Sequence, residues 1–185
     1  TDRLRKLTKL AIFRQVAPGS SQRKEYRLTK MGFDLYPSFI ALMQFGDRWL
    51  AKGKPPLRLI HANCGCESHP IVACSHCGEV VYARDAKYRD GPGAGRRSAK
   101  PGRNTRRASD GSRFLTGRPS SVSRALEIIG DKWSFMVVRE GFFGNRRYDK
   151  ILTELAIAPN ILTDRLNRLV ASGILQRRQY QSSPD

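Results

Sequence analysis

The residues of this chain best suited to chemistry are its cysteines and histidines, which all lie between positions 61 and 77. His61 and Cys64 form one pair with two residues between them, and Cys74 and Cys77 form a second pair with the same spacing. Two such pairs separated by a loop suit tetrahedral Zn²⁺, because each pair can bend around one face of the ion. We therefore expect a structural zinc site with Cys64, Cys74 and Cys77 as ligands and either His61 or Cys66 as the fourth.

The segment that carries these residues, 55–88, has the sequence of a small β ribbon resembling a zinc ribbon. A glycine follows one cysteine of each pair, at Gly65 and Gly78, as a tight turn often requires. Free thiols and a disulfide formed on oxidation are the alternatives to zinc. A catalytic zinc is not expected, since a nucleobase deaminase needs His-x-Glu and Pro-Cys-x-x-Cys. Here Ala73 precedes Cys74, and the sequence has no His-x-Glu.

The charge of the chain indicates a second kind of chemistry, the binding of phosphate-rich partners. The chain has 34 Lys and Arg against 16 Asp and Glu, a formal net charge of +18. Such a balance attracts polyanions through electrostatic steering and counterion release; a basic protein that binds no polyanion is the alternative. No apolar run approaches the ~20 residues of a membrane span, and residues 1–10 do not resemble a signal peptide. We expect a soluble cytoplasmic protein, associated with the nucleoid.

The elements that would position these charges follow from a repeat between the two ends of the chain. Residues 1–7, Thr-Asp-Arg-Leu-Arg-Lys-Leu, return at 163–169 as Thr-Asp-Arg-Leu-Asn-Arg-Leu, 162 residues further on. Of the 23 positions that can be aligned, eight are identical. We therefore expect the chain to begin inside one structural unit and to stop inside a second copy, as a piece of a tandem two-domain protein.

Residues 1–54 have the pattern of the back half of a winged helix-turn-helix. A basic amphipathic helix over 1–10, with Leu4 and Leu7 in the core, precedes strands at 12–17 and 24–28 that a Pro-Gly-Ser-Ser turn joins. Thr29 is a good N-cap for a long apolar helix over 31–50, which Pro37 can bend or split. That helix is either an ordinary core helix or a dimer or domain–domain surface.

Residues 120–185 supply the front half of the same unit. We expect helices over 122–133 and 134–140, a helix-turn-helix whose first helix begins at 146, and a turn at 158–160. The recognition helix then covers 160–172, Gly173 ends it, and 174–180 begin a wing. Between the two parts, 89–119 hold nine Lys or Arg and few large apolar residues, which predicts a flexible basic linker. The fold class is mainly α with a small β content.

These segments resemble the HxlR family of bacterial winged-helix transcription regulators, which are similar in fold to MarR proteins. The resemblance rests on Ala-Leu-Glu-Ile-Ile-Gly-Asp-Lys-Trp at 125–133, Arg-Arg-Tyr at 146–148, Ile-Leu-Thr-Asp-Arg-Leu at 161–166 and Glu-Tyr-Arg-Leu-Thr-Lys-Met-Gly at 25–32. It implies a regulator that binds specific double-stranded DNA and has no enzymatic activity. It also implies a dimer, here either a homodimer or an intrachain pseudo-dimer. Many members carry a sensor cysteine before the first helix, where this chain has Ser120.

The candidate DNA contacts follow from the recognition helix, whose start points at base edges in the major groove. In this helix Asn160, Thr163 and Asn167 are candidates for base contact. Arg165 and Arg168 are candidates for contact with either bases or phosphates. Their counterparts in the other copy are Thr1, Arg5 and Lys6. The wing candidates, which we expect to meet phosphates, are Arg23, Lys24, Arg177 and Arg178. Leu166 and Leu169 are expected in the core.

Two other functions fit parts of this sequence. A zinc-ribbon protein that binds RNA or the ribosome would explain the charge and the cysteine pairs, but not the paired helix-turn-helix and wing patterns. A structural, zinc-stapled interaction module would show no salt-dependent binding of nucleic acid. A further hypothesis is that the two incomplete halves complement each other, within one chain or between two. Residues 1–10 and 163–172 would then compete for one helix position.

Overall fold

The computed structural model of the chain describes residues 2–17, 25–93 and 120–179. Its elements in chain order are α1 (Asp2–Lys9), β1 (Phe13–Val16), β2 (Glu25–Leu28), α2 (Lys30–Phe33), α3 (Tyr36–Trp49), α4 (Ser121–Ile129), α5 (Lys132–Phe142), α6 (Tyr148–Leu155) and α7 (Pro159–Ala171). The described part is thus mainly helical with a small two-stranded sheet, as predicted. No helix in it is long and apolar enough to cross a membrane. Thr1, Arg23, Lys24 and most of the predicted linker, 94–119, lie outside the described residues.

The hairpin of β1 and β2 forms where the sequence predicts a wing. The strands are antiparallel, with Phe13 opposite Leu28 and Val16 opposite Glu25. The backbone N–H of Thr29 donates to the carbonyl of Ile12 at 3.1 Å and closes the hairpin at its base. The predicted turn between the strands falls on undescribed residues. In the second copy, residues 176–179 form no strand in the described structure.

The apolar stretch after the hairpin is divided into two helices. Thr29 caps α2, and its hydroxyl accepts from the N–H of Gly32 at 3.1 Å, as predicted. Pro37 lies in the first turn of α3, because proline lacks the N–H that a helix interior needs but is tolerated at a helix start. Of the two outcomes expected for Pro37, bending or splitting, the structure shows the split.

The boundary between α4 and α5 differs from the prediction. The sequence pattern places it between 133 and 134, whereas α4 ends at Ile129 and α5 begins at Lys132. The reason is Asp131, whose carboxylate accepts from the N–H groups of Trp133 and Ser134, both at 3.1 Å. An aspartate N-cap of this kind starts a new helix, so Trp133 belongs to α5 and not to α4.

The helix-turn-helix consists of α6, a short turn and α7. Ala156 adopts a left-handed conformation at the end of α6, and Pro159 is the first residue of α7, one residue earlier than the predicted start at 160. Gly173 has a φ of 75° and ends α7, as predicted. The core beneath these helices consists of Val137, Ile151, Leu155, Ile157, Leu162 and Leu169.

The two parts of the chain meet where α3 packs on α4. Ile40, Met43 and Gly46 form the buried side of α3. A side chain at Gly46 would lie less than 3.0 Å from the backbone of Ser121, so only glycine allows this approach. The hydroxyl of Ser121 donates to Asp47.

The two copies of the repeated helix differ in burial. In α7, Leu169 is fully buried and Leu166 packs against the core. In α1 no residue is buried, and Leu4 and Leu7 are only half-buried, so the expectation that both lie in the core is wrong. The reason is that α1 packs on its own hairpin strand β1, whereas α7 packs across α5.

Candidate nucleic-acid interface and metal-ligand cluster

The outward face of α7 carries four of the five residues of this helix that are predicted to contact DNA. The buried positions of this helix, Leu162, Arg165 and Leu169, are spaced by three and four residues and form one stripe. Asn160, Thr163, Asn167 and Arg168 all lie outside that stripe and are exposed. The helix therefore presents a polar and basic face to solvent while its apolar face is held in the core.

Arg165 departs from the expected arrangement. It is 9% exposed, and its Nε donates to the carboxylate of Asp131 at 2.9 Å. A second ion pair joins it to Asp164. The guanidinium thus connects α7 to the N-cap of α5, and we remove Arg165 from the candidate DNA contacts. The sequence did carry this signal, because Arg165 falls on the same helical stripe as Leu162 and Leu169.

Asp131 is the centre of this polar junction. Besides the backbone N–H groups of Trp133 and Ser134, the hydroxyl of Ser134 donates to it, at 2.5 Å. Burial raises the pKa of Asp131, but the hydrogen bonds from Ser134 and the charge of Arg165 outweigh burial, so the pKa lies below its ordinary value. The carboxylate is therefore held ionised, and it fixes α7 relative to α5.

Contacts along the exposed face tie several candidate residues together. Asn167 accepts a hydrogen bond from Arg177 at 2.9 Å, which joins α7 to the segment after it. Arg178 lies exposed beside Gln176. Tyr148, which the sequence analysis missed, donates its hydroxyl to the carbonyl of Pro159 at 3.0 Å, and the hydroxyl of Thr163 is 3.2 Å away. Tyr148 therefore positions the start of α7.

The corresponding face of α1 is more basic. Arg5 and Lys6 are exposed, and by the offset of the repeat they are the counterparts of Asn167 and Arg168. Thr1, Arg23 and Lys24, the other candidates of this copy, lie outside the described residues. Among the described candidates, the structure brings Asn160, Thr163, Asn167, Arg168 and Arg177 onto one helix face and its continuation.

The predicted metal ligands lie in two small hairpins. Nδ1 of His61 is 3.3 Å from Sγ of Cys64. The backbone N–H groups of Cys77 and His76 and the thiol of Cys77 hydrogen-bond Cys74 and, against a smaller effect of burial, lower the pKa of its thiol. Cys66 has its Sγ beside the carbonyl of Cys64, at 3.6 Å. All four cysteines are free thiols, and within the described ranges no three donor side chains converge on one metal position.

Comparison with known proteins identifies the helical part. The family model described as HxlR-like helix-turn-helix matches residues 1–54 and 128–185, more than half of the chain, and two such segments fit a tandem copy. An HTH-type transcriptional regulator of Mycobacterium tuberculosis is 42% identical over 95 residues, which are 50% of this chain and 60% of that protein. One of Synechocystis is 35% identical over 72 residues, 38% of this chain and 53% of that protein.

A solved structure is also similar, that of PA1607, a candidate transcription factor. It is 27% identical and covers 49% of this chain and 64% of its own, with a TM-score of 0.43, too low to support an argument about the fold. The chain spans about 60% of the length of the Mycobacterium relative. The two matched segments contain the helix-turn-helix of α6 and α7 and the hairpin of β1 and β2. The chain belongs to the HxlR-like helix-turn-helix family.

Proposed function

We propose that this protein is a transcriptional regulator that binds specific double-stranded DNA, without enzymatic activity, in the cytoplasm. Family membership supports this proposal, as do relatives that are themselves named HTH-type transcriptional regulators. The observation that carries it is the division of α7 into a buried stripe and an exposed polar face. A helix anchored in this way can enter the major groove while the rest of the domain stays on the backbone.

The residues have separate roles in this proposal. Asn160, Thr163 and Asn167 read base edges, because amide and hydroxyl groups pair with the donors and acceptors of the major groove. Arg168, Arg177 and Arg178 bind phosphates, which position the helix without reading sequence. The hydrogen bond between Asn167 and Arg177 would then couple a reading residue to a positioning one.

The other copy would contribute a second, more basic surface. Arg5 and Lys6 are its described members; Thr1, Arg23 and Lys24 join them by position in the sequence. The two copies replace the two protomers of a dimer, or a second chain provides a homodimer. Exposed aromatic residues of α3 and its neighbourhood, Phe33, Tyr36, Phe39 and Trp49, offer apolar surface for such pairing.

The test is binding to the DNA upstream of the protein's own gene, measured against salt beside a scrambled duplex. We expect the native duplex to be preferred by about 10³-fold or more, and Asn160→Ala and Asn167→Ala to reduce that preference. Arg84→Ala removes an exposed arginine in the cysteine segment and is the matched control. Equal, steeply salt-dependent binding to both duplexes and to single-stranded RNA would overturn the proposal and favour a protein that binds nucleic acids by charge alone.

A further inference from the structure

The cysteine segment is built from two copies of one hairpin, 13 residues apart. Ile60 bridges to Glu67 in the first copy, and Ala73 bridges to Val80 in the second. The backbone hydrogen bonds repeat with the same shift. The N–H of His61 donates to Cys66 at 2.9 Å and that of Cys74 to Glu79 at 2.8 Å.

The tight turns of the two copies also match. The N–H of Gly65 donates to the carbonyl of His61, and that of Gly78 to the carbonyl of Cys74, both at 2.8 Å. Gly65 has a φ of 69° and Gly78 a φ of 76°, values that favour glycine. The two turns therefore have the same backbone conformation, and each has its two potential metal ligands at the same two positions.

This correspondence decides between the two candidates for the fourth ligand. His61 matches Cys74, and Cys64 matches Cys77, so each hairpin offers one donor on either side of its turn. Cys66 instead matches Glu79, at a position where the second hairpin has no cysteine. In the first hairpin Nδ1 of His61 and Sγ of Cys64 are 3.3 Å apart. Ordinary Zn–N and Zn–S bonds at the tetrahedral angle require about 3.6 Å.

The segment also lacks what would otherwise hold it in shape. No residue from 52 to 93 is buried, and apolar side chains such as Ile71 and Val72 are 68% exposed. A segment of this size without a hydrophobic core needs a disulfide or a structural metal to be stable. The four cysteines are free thiols, and a reduced cytoplasm favours that state.

We propose that the two hairpins bind one structural Zn²⁺ through His61, Cys64, Cys74 and Cys77. On binding, the three thiols release their protons to solvent, and the imidazole ligates as the neutral ring through Nδ1. With three thiolates and one neutral imidazole around Zn²⁺, the loaded site as a whole carries a net charge of −1. Because no three donors converge in the described structure, the hairpins close on the ion as it binds, and metal binding orders the segment.

The experiment uses the full chain without a histidine tag, reduced and loaded with Zn²⁺ or Co²⁺. Metal content after buffer exchange and the thiolate-to-Co²⁺ absorption band are measured for the unsubstituted chain and for His61→Ala, Cys77→Ser and Cys66→Ser. We expect one ion per chain in the unsubstituted chain and in Cys66→Ser. We expect His61→Ala and Cys77→Ser to lose stoichiometric binding. Amide exchange in 57–90 should slow on addition of Zn²⁺ in the unsubstituted chain and in Cys66→Ser.

Four results would overturn the proposal. Failure to retain zinc, or one ion shared by two chains, would exclude an intrachain site. Loss of binding in Cys66→Ser with retention in His61→Ala would make Cys66 the fourth ligand. A Cys74–Cys77 disulfide that forms in air and slows exchange as much as zinc does would make the pair an oxidisable crosslink. Circular dichroism of each variant shows that the helices remain folded, so that loss of metal is not loss of fold.

Discussion

Arg165 and Arg168 lie three residues apart on α7, yet the structure gives them different surroundings. Arg165 is buried in ion pairs with Asp131 and Asp164, whereas Arg168 is exposed. A buried guanidinium that pairs with a helix cap stabilises the fold, and an exposed one is available to phosphates. The two residues therefore form a matched pair for separating stability from DNA binding.

For this pair we expect opposite results. Arg165→Ala should lower the free energy of unfolding by about 1–3 kcal/mol, because it removes the one cation that pairs with the part-buried Asp131 carboxylate in the described residues, and should leave the salt slope of DNA binding unchanged. Arg168→Ala should change stability by less than about 0.5 kcal/mol and reduce the salt slope by about 0.9. Urea unfolding and binding against salt measure the two effects. A reduced salt slope for Arg165→Ala would return that residue to the interface.

The loss of folding stability at acid pH should depend on Asp131. Because its pKa is lowered in the folded state, its contribution is present above the unfolded value of about 3.9. It is lost as the pH falls through the lower folded value. Asp131→Asn keeps a good N-cap but removes the charge, so the unfolding free energy of this variant should fall less as the pH is lowered from about 5 to about 2. Identical acid profiles would show that the charge of Asp131 does not stabilise the fold.

At the scale of elements, the repeated helix shows that the contribution of a residue to stability depends on the packing around it. Leu7 and Leu169 occupy equivalent positions of the repeat, but Leu169 is fully buried and Leu7 only half-buried. Leu169→Ala should lower the free energy of unfolding by about 2–5 kcal/mol. Leu7→Ala should lower it by about 1 kcal/mol. Thermal or urea unfolding compares them, and equal losses would mean that α1 is as well packed in solution as α7.

The contact of α3 with α4 should depend on Gly46. Gly46→Ala places a methyl group against the backbone of Ser121, and overpacking of this kind costs about 1–3 kcal/mol. Gly141→Ala is the control, since Gly141 is also helical but has open space around it. That variant should stabilise α5 by up to about 1 kcal/mol. If both variants are equally stable, Gly46 of α3 does not pack closely against Ser121 of α4 in solution.

At the scale of the whole molecule, two features bear on DNA binding: the net charge of the chain and the contact between α3 and α4. The net charge of +18 attracts polyanions irrespective of sequence, whereas the packing of α3 on α4 joins residues 36–49 to 121–129. Through this contact the part of the chain that contains α1 is joined to the part that contains α7, and each part has its own basic helix face.

The whole-molecule prediction concerns salt. If the five described basic candidates, Arg5, Lys6, Arg168, Arg177 and Arg178, all bind phosphates, the slope of log K against log salt should be about −4.5. Arg5→Ala with Lys6→Ala should reduce its magnitude by about 1.8. Titrations of labelled duplex at several salt concentrations measure this slope. A slope that the double substitution leaves unchanged would remove α1 from the interface.

The local structure of this protein could be predicted from its sequence because it depends on neighbours in the chain. The Thr29 cap, the break at Pro37, the hairpin and the end of α7 at Gly173 all follow from short-range hydrogen bonds and allowed backbone angles. The repeat and the family motifs were also readable as sequence. The sequence analysis missed the boundary between α4 and α5, although Asp131 is a residue type that commonly caps helices.

Tertiary structure decided the roles that depend on distant partners, even where the helical spacing, as for Arg165, already indicated the buried side of the element. Whether Arg165 contacts DNA depends on Asp131, 34 residues away, and whether a leucine of the repeat is buried depends on which helix covers it. The correspondence of His61 with Cys74 likewise required the backbone bonds of both hairpins. Spacing along a chain determines which side of an element a residue occupies, whereas burial and pairing are properties of what packs against that side.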